Sequence, residues 1–387
     1  MIDLSDILNH LGEDRASYQG SVVPPIFQTS MFAFESVAKF RESLKDELNN
    51  PFYTRGHNPT TAILRKKLAA LEGADDCLVF ASGSAAIAAG VMVSVKQNDH
   101  VVCVQKPYSW TKQLLGTLLE KFGVASTFVD ATDVAHIAAA LQPNTRLIML
   151  ESPNSMTFEM QDLAAIATLA KRLNIRTLCD NSYASPLNQS PLALGIDMVA
   201  HSGTKYLNGH SDVVAGVLCA SHSIIREVFQ GPFMTLGAIL PPFESWLMLR
   251  GMRTLRLRMR QVAESAQMIV AFLSAHPMVE HVYFPQSNAQ QSLAAQQMSG
   301  AAGMLSIRVK TADFAGVERF CNALKRFLLA CSWGGYESLA FPVCGLFSSE
   351  NYSASEQTLP FNLVRLSIGL EEPELLIEDL AQALAQV

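Results

Sequence analysis

The sequence has no run of five basic residues, no C-x-x-C pair and no apolar stretch long enough to cross a bilayer. Each absence removes a class of function. With a net charge of −6 and no basic run, the chain has no long-range attraction for nucleic acid or for an anionic membrane surface. The most apolar run, Ala85 to Val95, reaches about half of the roughly 20 residues that a spanning helix needs. The opening MIDLSDILNHLGEDRASYQG carries acids early and no basic stretch ahead of an apolar core, so no secretory signal is expected. Seven cysteines, Cys77, Cys103, Cys179, Cys219, Cys321, Cys331 and Cys344, are scattered without a His/Cys cluster at metal spacing. That pattern implies reduced thiols in a cytoplasmic protein without structural zinc or other metal. Internal repeats and low-complexity segments are also missing. Charged residues make up 17% against 49% hydrophobic, so part of the apolar surface is expected to lie between subunits.

What is present points to an enzyme-sized α/β chain. At 387 residues, and roughly 150 residues per domain, two or three domains are expected. From about Cys77 to Ala220, short β-branched runs alternate with amphipathic stretches, which predicts βαβ units and a mostly parallel sheet flanked by helices. The predicted strands include CLVFA, HVVCVQ, RLIMLE, IRTLCD, DMVAHS and VVAGVLCA, with a helix over Leu163 to Leu173 among the connections. In open α/β sheets ligands bind at the carboxyl ends of strands, so Ser82, Glu151, Asp180 and Ser202 fall where a ligand would sit. Residues 1–60, rich in Pro, Asn and aromatics, read as an extended arm contacting a neighbouring subunit. Residues 61–250 read as the ligand-binding domain. Residues 251–387 read as a smaller α+β domain, opened by a long helix from about Leu255 to Ala275 and closed by a strand that passes into an acid-started helix.

Three features could carry chemistry. HSGTKYLNGH places Lys205 after an apolar strand, among Ser202, Gly203 and Thr204, small residues that let a bulky ligand approach the backbone. Asp180 closes IRTLCD, where a carboxylate could pair with a protonated pyridine nitrogen. ASGSAAI puts Ser82, Gly83 and Ser84 at a strand-to-helix junction, where free N–H groups and a helix N-terminus suit a phosphate. Taken singly, these are more often a surface lysine, a turn aspartate and an N-cap serine. Together, in one α/β domain, they are what a pyridoxal-5'-phosphate (PLP) site requires.

The chain resembles the cystathionine/methionine-metabolism family of fold-type I PLP enzymes, through YTRGHNPT, ASGSAA, ESPNSMTFEMQDL, CDNSYASP, HSGTKYLNGHSD, RGMRTLRLRMRQ, SWGGYESLA and VRLSIGLEE. Within the family, HSDVVAG, SWGGYES and VRLSIGLEE look most like bacterial cystathionine β-lyase. The resemblance implies the PLP-dependent transferase-like fold and the cofactor PLP. It assigns Lys205 as the Schiff-base lysine and catalytic base, and Asp180 as the partner of the pyridine nitrogen. Tyr108 stacks on the ring, and Gly83, Ser84, Ser202 and Thr204 hold the phosphate. Tyr53 and Arg55 reach the phosphate of a neighbouring subunit, which implies a homotetramer built from dimers with shared sites. Arg365 clamps the substrate carboxylate, with Ser332, Trp333 and Ser155 beside it.

The implied reaction is β-elimination, from L-cystathionine and water to L-homocysteine, pyruvate and ammonia, a step of methionine biosynthesis. Three positions depart from the family's pattern. Ser155 stands where many members have asparagine, Cys331 precedes SWGG where β-lyases have an aromatic, and Trp110 replaces the cysteine that methionine γ-lyases carry two places after the stacking tyrosine. The alternatives are a cystathionine γ-synthase or γ-lyase, a methionine γ-lyase, a broad cysteine-S-conjugate or cystine β-lyase and, outside catalysis, a PLP-binding regulatory protein.

Overall fold

Runs that are apolar on both faces fold as the inner strands of a covered sheet, because only burial on both sides repays the loss of solvent around them. The computed structural model describes residues 2–286, 289–347 and 359–387. Its larger sheet comprises β1 (Asp76–Phe80), β2 (His100–Val104), β3 (Ala125–Val129), β4 (Thr145–Glu151), β5 (Arg176–Asp180), β6 (Met198–Ser202) and β7 (Gly216–Ala220), in the order β1-β7-β6-β5-β4-β2-β3. β7 pairs antiparallel with both β1 and β6, while all other neighbours pair in parallel. Only β7 is therefore reversed, and the sheet is mixed but mostly parallel, as expected. All six expected strands are present, the last starting at Gly216 and not at Val213. β3 was not anticipated: ASTFV lies at the sheet's edge, half-exposed, and lacks the continuous apolar character of the inner strands.

Local signals explain where the helices begin and end. α1 (Leu4–Asn9) and α2 (Val37–Leu44) start at side-chain caps, Asp3 and Ser36. α3 (Pro59–Glu72) has Asn58 accepting from the Thr60 amide and proline at its first position, and it stops at Gly73, whose φ of 69° is left-handed. α4 (Gly83–Met92) is capped by Ser82, which accepts from the Ala85 amide. The helix Leu163–Arg172 is capped by Asp162.

The helix Leu255–Ala275 leads to a second sheet of β8 (Val279–Tyr283), β9 (Met304–Val309), β10 (Leu328–Leu329), β11 (Leu339–Pro342) and β12 (Leu363–Ser367), in the order β10-β11-β12-β9-β8. Ile269 and Leu273 of that helix, and Leu376 and Leu380 of the helix Pro373–Leu384, share a core with Leu305 and Leu366 of the sheet.

The first 60 residues are only partly an arm. Ile7 and Leu8 are buried in the chain's own core. Behind them, the fully buried Glu13 carboxylate meets Lys67 and Arg253, each at 3.1 Å. Beyond that anchor the segment turns apolar side chains outward, with Val22, Met31 and Val37 exposed by 73, 66 and 65%.

One close approach fixes where the sheet delivers its ligands. A Cβ on Gly216 of β7 would lie 1.9 Å from the Ser82 carbonyl oxygen, so β7 can run beside the turn into α4 only as glycine. Gly216→Ala is expected to lower the urea midpoint by an amount equivalent to about 1–3 kcal/mol. An unchanged midpoint would show that the two segments do not pack this closely.

Candidate active site

Three parallel strands end on polar residues: Glu151 closes β4 level with Asp180 at the end of β5, and β6 runs two residues past that level to Ser202. The N-terminus of α4 faces the last of them, for a Cβ on Gly83 would lie 2.9 Å from the Ser202 Cα. The Ser82 cap satisfies the Ala85 amide. The amides of Gly83 and Ser84 have no acceptor in the first turn of the helix, where the macrodipole also favours an anion. Thr204 follows on the same turn as Ser202. Its hydroxyl accepts from the Ala215 amide at 2.9 Å and donates to the Ala215 carbonyl at 3.3 Å, which ties the turn to the start of β7.

Asp180 is buried and has no ion pair among the described residues. Its Oδ1 accepts from the Ser182 amide at 2.9 Å, and the Ser182 hydroxyl accepts in turn from the Ser202 amide at 2.6 Å. Burial raises the Asp180 carboxyl above the usual carboxylate range, opposed by the Ser182 hydrogen bonds and by His201 and Lys205 nearby. A buried acid in this state gains from a cationic ring nitrogen. Together with the open amides of Gly83 and Ser84, it gives PLP a place for both its pyridine and its phosphate, so the residues present fit the cofactor.

Lys205 stands among the groups that would face a substrate. Its Nζ donates to the Ser332 hydroxyl at 2.6 Å and lies 5.4 Å from the centre of the Trp333 ring. Burial, reinforced by the Arg365 guanidinium, lowers its pKa to about 8. Ser332 has a φ of 74°, a left-handed conformation that costs a residue with a side chain on the order of 1–3 kcal/mol. Arg365 helps to hold it, with Nη2 donating to the Ser332 carbonyl at 3.3 Å and Nη1 to the Ser155 carbonyl at 3.2 Å. The guanidinium also lies 5.1 Å over the Phe341 ring. Burial brings its pKa down to about 10. No carboxylate pairs with it among the described residues, so its charge is free for a ligand's.

Tyr108 is partly exposed, with its hydroxyl bonded to the Ser84 side chain and its pKa raised by burial. Its amide donates to Glu151. Contacts thus join Tyr108 to Ser84, Gly83 to Ser202 and, through Ser182, Ser202 to Asp180, while Lys205 meets Ser332 and Trp333, and Arg365 meets Ser332 and Ser155. Tyr53 and Arg55 are not brought in. Both are exposed and pair with each other at 5.6 Å. No hydrogen bond or ring contact joins either to the Lys205 group among the described residues. Ser182 and a role for Glu151 escaped the sequence reading. The visible signal for Glu151 was an acid ending the apolar run RLIMLE, beside the strand that ends in Asp180.

Labelling of the cofactor-free protein with an amine-directed reagent across pH, read by peptide mass spectrometry, should show Lys205 half-reactive near pH 8. A depressed pKa means that the neutral amine prevails above that pH. Half-reaction near the ordinary lysine value of about 10.4 would mean a solvated, charged amine.

The family described as Cys/Met metabolism PLP-dependent enzyme matches residues 6–385. An L-methionine gamma-lyase of Pseudomonas deceptionensis is 38% identical over 382 residues, covering 97% of this chain and 95% of that protein. A cystathionine gamma-synthase of Mycobacterium bovis is 36% identical over 377 residues, covering 97% and 95%. The crystal structure of cystathionine gamma-lyase from Lactobacillus plantarum, complexed with L-serine, superimposes with a TM-score of 0.91 at 34% identity, covering 100% of this chain and 99% of that one. These names fit the γ-lyase and γ-synthase alternative better than the cystathionine β-lyase that the motifs favoured.

Proposed function

Because the chain belongs to the Cys/Met metabolism family of PLP-dependent enzymes, we propose that this carbon–sulfur lyase acts by γ-elimination, turning L-methionine and water into 2-oxobutyrate, ammonia and methanethiol. The observation that carries the reading is the likeness to L-methionine gamma-lyases along 97% of the chain. PLP, when bound, supplies an electron sink conjugated to the substrate's amino-bearing carbon.

The chain's own residues do the rest. Asp180, at the end of β5, holds a proton on the pyridine nitrogen. The amides of Gly83 and Ser84 and the hydroxyl of Ser202 hold the phosphate, and the Thr204 hydroxyl joins them by turning its hydrogen from the Ala215 carbonyl to the anion. Arg365 orients the substrate carboxylate by two charged hydrogen bonds. Lys205, with a pKa near 8, is close enough to neutral pH to accept a proton from a substrate carbon and return it. γ-Elimination requires proton removal at Cα and then at Cβ, and one mobile amine between the two can serve both. The Tyr108 hydroxyl, its pKa raised by burial, keeps its proton at neutral pH and can deliver it to the departing sulfur. Ser332 holds the free amine of Lys205 in place.

β-Elimination of L-cystathionine remains as a second reading, favoured by SWGGYES and by Trp110 in the position of the methionine γ-lyase cysteine. For assembly, the outward Val22, Met31 and Val37, with Tyr53 and Arg55 apart from the site of their own chain, support pairs of subunits that complete each other's sites.

Purified holoenzyme supplied with L-methionine should release 2-oxobutyrate in step with free thiol, identified by mass. Pyruvate from L-cystathionine, with no turnover of methionine, would replace this reading by the second. Lys205→Ala should lose nearly all turnover, at least about 10³-fold, and an active variant would remove Lys205 from its role.

A further inference from the structure

Glu151 ends β4 directly opposite Asp180 in the parallel register of β4 and β5. Its carboxyl is buried, and no cation pairs with it among the described residues. Both of its oxygens are nevertheless used. Oε2 accepts from the Tyr108 amide at 2.5 Å and Oε1 from the Ser155 amide at 2.9 Å. The Ser155 carbonyl then accepts from Arg365 Nη1 at 3.2 Å. The contacts form one line: the backbone that carries the Tyr108 ring, the Glu151 carboxylate, the segment after β4, and the Arg365 guanidinium.

Stability alone does not favour this arrangement. Two acids buried side by side repel, and burial together with Asp180 pushes the Glu151 carboxyl up, against the hydrogen bonds from Tyr108 and Ser155 that favour its ionised form. The geometry does explain why an acid is there. Two N–H groups converge from separate segments, and only a carboxylate presents two acceptor oxygens to them; an amide would turn its NH2 against one of the donors.

We propose that Glu151 is a positioning residue that locks the Tyr108 ring and the Arg365 guanidinium into one frame, so that ring stacking and carboxylate recognition are set together. The inference rests on the roles given above to Tyr108 and Arg365. It assigns Glu151 no contact with a substrate.

The test compares wild-type, Glu151→Gln and Glu151→Asp holoenzymes by the visible circular dichroism of bound PLP, by kcat and KM, and by the melting temperature of the cofactor-free proteins. The dichroism reports how the ring is tilted, which a purely structural role would leave alone. Glu151→Gln should bind PLP with its dichroic band at least halved and kcat lowered about 10–100-fold, the scale expected when reacting groups are displaced by a fraction of an ångström. Glu151→Asp, which withdraws both oxygens by one methylene while keeping the charge, should shift both in the same direction and remains informative if the glutamine variant does not fold. Wild-type dichroism and kcat in a folded variant would overturn the proposal, whether or not its melting temperature falls. Should the wild type turn over no sulfur amino acid, the functional reading fails, while the dichroism of the variants still decides the role of Glu151.

Discussion

The site depends on the approach of β7 to the turn that starts α4. Gly216 lets the β7 backbone pass against the Ser82 carbonyl, where a Cβ would stand at 1.9 Å. Once β7 is in place, Thr204 can bond to Ala215 and Gly83 can meet Ser202. The open amides of α4 then lie beside the hydroxyls of the turn leading to Lys205. A single missing methyl group thereby brings the open N-terminal amides of α4 to the end of β6, and the lysine follows from there. β4 and β5 end at one level, with Glu151 opposite Asp180, and β6 reaches two residues past it to Ser202.

The second organising feature is charge kept away from water. Asp180, Glu151 and Arg365 are buried and Lys205 largely so, and none closes an ion pair with another. Their oxygens and nitrogens meet amides, hydroxyls and carbonyls instead. Such partners satisfy hydrogen bonds without cancelling charge, which leaves the two acids with raised pKa values and the two bases with lowered ones. Shifts of that kind mark groups arranged for chemistry at the expense of stability. Ser332 belongs with them, since its left-handed backbone is tolerated where glycine would be easier and its hydroxyl meets the lysine.

Much of this could be seen in the sequence, for reasons that differ by element. Strands β2, β4, β5 and β6 have apolar middles because both faces are covered there, so their polar ends, and with them Glu151, Asp180 and Ser202, stood out. The helix expected from about Leu255 to Ala275 was legible from its periodicity. The edge strand β3 was not, because a half-exposed strand need not be apolar. The reversal of β7 was hidden as well, for strand direction is set by the path of the connections and not by composition. Lys205, Asp180 and the Ser82-Gly83-Ser84 turn were weak signals one by one and gained force only in combination. The hold of Glu151 on Tyr108 joins residues far apart in the chain through a backbone amide, which no side-chain pattern records. That Ile7, Leu8 and Glu13 dock on their own chain had no visible signal, since a loop-like sequence gave no reason to expect the burial of Glu13.

The pairing of β1 has a consequence for how the protein is made. Among the described strands β1 pairs only with β7, with Phe80 opposite Gly216, and its other edge meets the segment around Ile239, which is later still in the chain. A nascent chain that has not yet emerged beyond Gly216 leaves β1 without a hydrogen-bonded partner and the Ser82 turn without the backbone that fixes it. Contacts between such distant segments form late, because a long loop must close first. Inner strands can pair while synthesis continues, whereas the turn into α4 is fixed only when β7 is available. The turn into α4 is thus completed late in the birth of the chain, and a fragment that ends before Gly216 lacks the strand that fixes it.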